Sequence, residues 1–329
     1  MIKTRLALSA FGLALCATAA PALAGDGTNL YGMLAQDTQM VMVFDVADSR
    51  DSTLLQKGFQ KLLAMQPDAQ AKLGELGIDP MKDVDTIALA AGGMKDFDEM
   101  DNAQSFVLII EGRLPRGKLA EMDGARKAAY KGVDIWTMDD TDAAFVGDRL
   151  FFTRKGKMKA QIDLAQGKAK ARSLAGSAKA KAMRAALAVT DTSADLWIAV
   201  LMPDKTKKEM AREGIVAHSV SGGANFTADL ALSIRIDSDS EDGARKAVGM
   251  LQAQLGQATG MMTQFGLGAA AKSLSVTSDK AAIKMGIKFT EAEINSILAL
   301  AGGGMGGGAS APPPPPPPPP GKSPMRPTK

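Results

Sequence analysis

Residues 225–237 read NFTADLALSIRID, and their polarity alternates with a period of two. Phe226, Ala228, Leu230, Leu232, Ile234 and Ile236 fall on one side, and Asn225, Thr227, Asp229, Ser233, Arg235 and Asp237 on the other. Successive side chains of a strand point to opposite faces, so the stretch has one buried face and one wet face. That is the habit of an antiparallel sheet; a parallel sheet is covered on both faces and reads as unbroken apolar runs. The chain must therefore supply antiparallel neighbours and something to pack against one side.

The remaining punctuation supplies both. Strands are predicted at Gln39–Val46, Thr86–Ala91, Ser105–Glu111, Val133–Met138, Ala143–Thr153 (broken by a tight turn at Gly147-Asp148) and Asp195–Met202. Ile215–Val220 should pair with the alternating strand through a hairpin turn at Ser221–Ala224, and half-buried strands follow around Val276 and Ile283–Phe289. Helices are predicted at Leu54–Met65, Pro67–Leu76, Pro115–Met122, Lys157–Ala165, Ala178–Ala188 and Pro203–Glu213. A long one follows Asp237–Asp242, and a last one is capped by Thr290 and Glu293 and runs to Leu300. Gly77 suits the left-handed residue that closes a helix, with Pro80 preventing its resumption.

Written as elements, residues 39–153 and 195–300 follow a similar order. The expected fold is α+β, with two tandem βαββαβ-like, ferredoxin-like halves whose antiparallel sheets carry helices on one face. One larger sheet built from both halves is the alternative. The organisation expected is a signal peptide at 1–24, a first α+β domain at 25–165, a basic linker and helix at 166–192, a second α+β domain at 193–301 and a disordered Gly/Pro-rich tail at 302–329. The leader reading rests on Lys3 and Arg5, the apolar run Leu6–Ala20 and the small-residue site Ala22-Leu23-Ala24. The only cysteine, Cys16, lies inside it, so the processed chain is expected to carry no thiol, disulfide or lipid anchor. No later segment is long and uncharged enough to span a bilayer, and a periplasmic or secreted protein is expected. Nine prolines at 312–320 would form a stiff rod of roughly 28 Å at ~3.1 Å per residue. Such a tail is a solubilising appendage, or a spacer presenting Lys322, Arg326 and Lys329 to a partner.

Little chemistry is on offer. With no cysteine after the leader and a single histidine, His218 in a strand, thiol catalysis is absent and a Ser-His-Asp relay lacks its G-x-S-x-G turn. Metal sites built from His and Cys fail by counting, and the acidic runs Asp96–Asp101 and Asp237–Asp242 lack the spacing of a calcium loop. The second run reads as a helix cap. No phosphate-cradling glycine loop is present. No enzyme, cofactor or metal is expected, and a hydrolase acting through carboxylates alone remains an alternative for which no pair can be named.

Charge is the most specific functional feature. Residues 25–148 carry 22 Asp/Glu against 12 Lys/Arg, a net of −10, whereas residues 149–184 carry 11 Lys/Arg against Asp163 alone, a net of +10. Arg154, Lys155, Lys157, Lys159, Lys168, Lys170, Arg172, Lys179, Lys181 and Arg184 are the candidates to bind an anionic partner: anionic lipid, lipopolysaccharide or an envelope protein. The competing reading is a solvated helix face balanced by the acidic half. Nucleic acid is not expected, because Phe151 and Phe152 are the only aromatics in the block and both fall in a strand. A second candidate is the Gly- and Met-rich stretch 247–268, where Leu255, Met261, Met262 and Phe265 could hold a lipid-like ligand or build an ordinary core.

Four segments, ELGIDPMKDVDTIALA (Glu75–Ala90), FVLIIEGRL (Phe106–Leu114), YKGVDIW (Tyr130–Trp136) and AAFVGDRLFFT (Ala143–Thr153), carry a resemblance. Over roughly its first 200 residues the chain resembles uncharacterised exported proteins of the myxobacterial type. The resemblance implies export and an α+β fold, and it brings no activity or site residues. The expectation is a non-enzymatic binding or scaffolding protein of the cell envelope, with a carrier or chaperone for a lipid-like ligand as the alternative.

Overall fold

The computed structural model describes residues 28–65, 67–94, 103–122, 124–212 and 214–303. The expected leader at 1–24, the acidic run Asp96–Asp101 and the tail from 304 onward lie outside them. The elements in chain order begin with α1 (Thr28–Met33), β1 (Thr38–Asp45), α2 (Val46–Ser49), α3 (Thr53–Met65), α4 (Pro67–Leu76), α5 (Pro80–Asp83), β2 (Val84–Gly92) and β3 (Ser105–Gly112). There follow α6 (Lys118–Glu121), β4 (Arg126–Tyr130), β5 (Val133–Met138), β6 (Thr141–Val146), β7 (Arg149–Arg154), α7 (Met158–Ala165), two 3-10 turns (Lys170–Arg172 and Ala178–Ala180) and α8 (Lys181–Ala188). The chain then runs through β8 (Leu196–Leu201), α9 (Asp204–Arg212), β9 (Ala217–Phe226), β10 (Leu230–Ser238), α10 (Glu241–Gln264), α11 (Gly268–Ser273), β11 (Ser275–Asp279), β12 (Ala282–Phe289) and α12 (Glu291–Gly303).

All the strands join one twelve-stranded antiparallel sheet in the order β11-β12-β10-β9-β8-β1-β2-β3-β7-β6-β5-β4. The class and the antiparallel habit are as the sequence predicts; the split ferredoxin-like order is not. That order would place a later strand between β1 and β2, yet β1 pairs directly with β2 from Met40↔Ala91 to Asp45↔Thr86. The sheet is continuous across the two halves because the other edge of β1 pairs with β8, from Met40↔Val200 to Phe44↔Leu196.

Helices cover both faces of the central strands, not one. Val41, Val43, Ala88, Ala90, Ile109, Phe151 and Trp197 form a core under α1, α7 and α8. Met40, Phe44, Ile87, Leu89, Leu108 and Ile110 form a second core with Leu55 of α3 and Leu73 and Leu76 of α4. Burial on both sides explains why SFVLIIE is so apolar and shows no alternation. Toward β11 the sheet is covered on one face only: Ala244, Ala247 and Val248 of α10 pack on Val276 and Ile283. Here the alternating pattern of β10 is legible, because the other face meets water.

Glycines that read as turns prove to serve packing. Gly222 and Gly223 lie inside β9, and the actual turn is Thr227–Asp229. A Cβ at Gly223 would sit 2.8 Å from the Ala194 Cβ, and one at Gly222 would sit 2.7 Å from the Ser233 carbonyl oxygen. Bareness is required there, not a bend. Gly77 does close α4 with φ +64°, and Ile78 N–H donates to the Leu73 carbonyl at 3.0 Å. Pro80, in contrast, opens the single turn of α5, which is capped by Asp79 accepting from Met81 N–H at 3.1 Å.

Gly249, Gly256 and Gly260 face open space on α10, with nothing within 4 Å of a Cβ placed on them. Replacing each by alanine removes backbone entropy from the unfolded chain without a clash. Each substitution is expected to raise stability by about 0.5–1 kcal/mol, read as a shift in denaturation midpoint.

Candidate functional site

The basic block is built into the fold. From β7 the chain turns at Lys155-Gly156-Lys157, where Gly156 has φ +82°, into α7. Met158, Ile162 and Leu164 of α7 are buried, leaving Lys159 outside. The run 166–180 is short of apolar residues, but Leu174 is fully buried against the core under α1. Backbone bonds fix it there: Leu174 N–H donates to the Leu34 carbonyl at 2.8 Å, Ala175 N–H to Tyr31 at 3.0 Å and Gln36 N–H to Arg172 at 2.9 Å. Ser177 Oγ donates to Gln36 Oε1 at 2.7 Å, and α8 closes the layer by burying Met183, Ala186 and Leu187. The segment expected to be a linker is therefore a packed layer on the Val41–Trp197 face of the sheet.

Of the ten candidate cations, eight are exposed on this layer: Lys155, Lys157, Lys159, Lys168, Lys170, Arg172, Lys179 and Lys181. The other two are half-buried. Arg184 is a brace, its guanidinium donating to the carbonyls of Leu174 (2.8 Å) and Ser177 (2.5 Å). Arg154 ends β7 beside Thr141. Among the described residues none of the eight forms an ion pair with a carboxylate. Lys155 Nζ donates to the Asp139 carbonyl at 3.1 Å, Lys168 Nζ to Gln166 Oε1 at 2.5 Å, and Lys159 Nζ lies 5.7 Å from the Tyr130 ring centre.

The one acid in the block does not neutralise it. Asp163 accepts from Lys131 Nζ at 2.6 Å and from the Tyr130 hydroxyl at 3.2 Å, both on the β4–β5 hairpin. The Lys131 ammonium holds the Asp163 carboxyl below its usual range, and Asp163 in turn raises Lys131. A cation from outside the block thus takes most of its only internal counter-charge, with a smaller pull from Arg172.

The apolar candidates do not converge on one cavity. Leu255 packs half-buried on the core beneath α10 and Met262 is also half-buried, whereas Met261 and Phe265 are exposed at 50% and 65%. The acidic run 237–242 divides as a cap should: Ser240 accepts from Gly243 N–H at 3.1 Å, and Glu241 and Asp242 both pair with Arg245. No group of three or more potential metal-ligating side chains occurs among the described residues.

Sequence reasoning missed two features. A cleft of about 470 Å³ lies between α8, α9 and β9, walled by Ala182, Ala186, Val189 and Leu201 with Lys207 and His218 at its polar end. Ser219 in that cleft donates to Asp237 Oδ2 at 3.0 Å, and Asp237 Oδ1 accepts from Arg235 Nε at 2.8 Å, so the hydroxyl is committed to a salt-bridged carboxylate. The second feature is Asp45, fully buried at the end of β1. The cleft and the burial of Asp45 leave no local trace, since each depends on strands that are distant in sequence; only the bond from Asp48 N–H to Asp45, which caps α2, is local.

No family model matches the chain, and no curated protein sequence is similar to it. Among solved structures it is similar to TP0453. In crystal form III the TM-score is 0.46 at 7% identity, covering 82% of this chain and 97% of that one. Crystal form I gives 0.46 at 7% with 82% and 96% covered, and form IV gives 0.42 at 8% with 87% and 98%. No helix among the described residues is long and apolar enough to cross a membrane.

Proposed function

We propose that this is an exported, non-enzymatic protein of the cell envelope that docks on an anionic lipid surface through the basic layer formed by α7, the two 3-10 turns and α8. The observation that carries the reading is the set of eight exposed cations without carboxylate partners among the described residues, fixed on a packed layer whose only acid is already paired. A flexible linker would lose conformational entropy on binding, whereas a layer pinned by Leu174 presents its charges ready-made. The leader-like residues 1–24 support export. Each Lys or Arg near an anionic surface contributes about 1 kcal/mol, screened within a Debye length of about 8–10 Å.

The test is cosedimentation of residues 25–329 with anionic and neutral vesicles at low and high salt. A variant in which Lys168, Lys170, Arg172, Lys179 and Lys181 are changed to Gln runs alongside. Binding to anionic vesicles is expected to fall at least ~100-fold in the variant, and likewise at high salt. These side chains are exposed, so the melting temperature should barely move. Equal binding by the parent and the variant would remove the layer from consideration.

A further inference from the structure

The second half of α10 and the turn into α11 carry no charge and expose large apolar side chains that the fold does not use. α10 has 24 residues, about 36 Å at 1.5 Å per residue, yet its buried side chains Ala244, Ala247 and Val248 all lie in the first two turns or so. Beyond them Met250, Met261 and Phe265 are exposed at 43%, 50% and 65%. Met250 and Met261 are three turns apart and Phe265 one turn further, so the three share a side of the helix with the exposed, uncharged Gln254, Gln257 and Gln264. From Ala247 to Ala271 there is no charged residue, and exposed Lys246 and Lys272 bracket the run.

Most backbone donors at the tip are already engaged, which lowers the cost of a non-aqueous setting. Phe265 N–H donates to Met261 and Met262 at 3.1 Å, Gly266 N–H to Thr263 at 3.1 Å and Leu267 N–H to Met262 at 2.9 Å. Glu293 Oε1 accepts from Ala269 and Ala270 N–H at 2.8 and 3.0 Å, taking up the free donors that open α11. The hydroxyls of Thr259 and Thr263 bond back to Leu255 and Thr259 carbonyls at 2.9 and 2.8 Å. We infer that the α10–α11 hairpin inserts its tip, led by Met261 and Phe265, into the headgroup–acyl boundary of a lipid bilayer.

Area decides against a second copy as the occupant. The exposed parts of three such side chains amount to roughly 300 Å², well below the ~800 Å² per partner of a stable interface. A shallow bilayer contact needs only apolar side chains at the acyl boundary and a cation near headgroup level, which Met261, Phe265 and Lys272 supply. The contact is independent of the basic layer, which covers the opposite face of the sheet, and needs no anionic lipid.

Residues 25–329 contain no cysteine, so Phe265→Cys carries an environment-sensitive fluorophore at a single site. With neutral phosphatidylcholine vesicles the fluorophore is expected to shift to the blue, be quenched by lipid-borne nitroxides near the headgroups, and ignore 1 M salt. The same label at Thr277→Cys, exposed on β11, should not respond. Met261→Asp with Phe265→Asp should weaken partitioning into neutral vesicles about 10-fold or more, while neutralising the five basic-layer residues should leave it unchanged. No spectral change at 265 with any vesicle would overturn the inference. So would a change that follows protein concentration without lipid, which would mark a self-association surface.

Discussion

Raising the pH from 4 to 8 is expected to cost this protein on the order of 3–4 kcal/mol of folding stability through one carboxyl group, and Asp45→Asn should abolish that dependence. Asp45 is fully buried at the end of β1. Its Oδ1 accepts from Asp48 N–H at 2.6 Å, but Oδ2 is buried with no partner. Burial pushes its pKa up to about 7, opposed by the backbone N–H groups of Asp48 and Ala47 and helped by the charges of Asp48 and Asp195. An ordinary aspartate titrates near 3.8 when unfolded. The folded state therefore binds the proton more tightly, and stability is full below about pH 4. It is lost as pH rises through the folded value, at about 1.4 kcal/mol per pKa unit. The Asp45→Asn variant would keep the acceptor for Asp48 N–H but bury an amide in place of Oδ2. It is expected to be less stable than the parent at pH 4 and more stable at pH 8. Urea midpoints across pH 4–8 for both proteins decide it. A parent curve as flat as that of the variant would show that Oδ2 is solvated.

The second large effect lies at the seam between β1 and β8. Trp197 faces Val43 across that pairing, is 4% exposed and belongs to the core under α1 and α8. Trp197→Ala removes a large buried side chain and leaves a cavity, at a cost of about 3–5 kcal/mol. Because the sheet is continuous across the seam, the loss should lower one shared transition. Calorimetry of the parent is expected to show a single peak that moves as a whole in the variant. Two peaks, of which only one moves, would mean that the halves unfold as separate domains despite the shared sheet.

What the sequence betrays follows from how far apart the interacting residues are. The period of two in β10, the turn at Gly147-Asp148 and the box formed by Thr290 and Glu293 are contacts within a few residues, and all can be read directly. Thr290 N–H donates to Glu293 Oε2 at 3.0 Å while Glu293 N–H donates to Thr290 Oγ1 at 3.3 Å. The other oxygen of the same carboxylate caps α11 more than 20 residues earlier, which no local rule anticipates. The basic block is plain in composition, but its fixation is not, since it hangs on Leu174, one leucine in a polar stretch. Likewise Gly222-Gly223 has the composition of a turn, and only the nearness of Ala194 and Ser233 reveals a strand.

The pairing of β1 with β8 also governs how the molecule can be assembled. Its partners are more than 150 residues apart, whereas β2 follows β1 closely. A chain emerging from its N-terminus can therefore zip β1, β2, β3 and the β4–β7 meander together while one side of β1 waits, unpaired and apolar, for a strand not yet made. Such an open border invites pairing with another unfinished chain. The run of lysines and arginines at 149–184 also arrives before β8, and like charges on two half-made copies would hold their open borders apart.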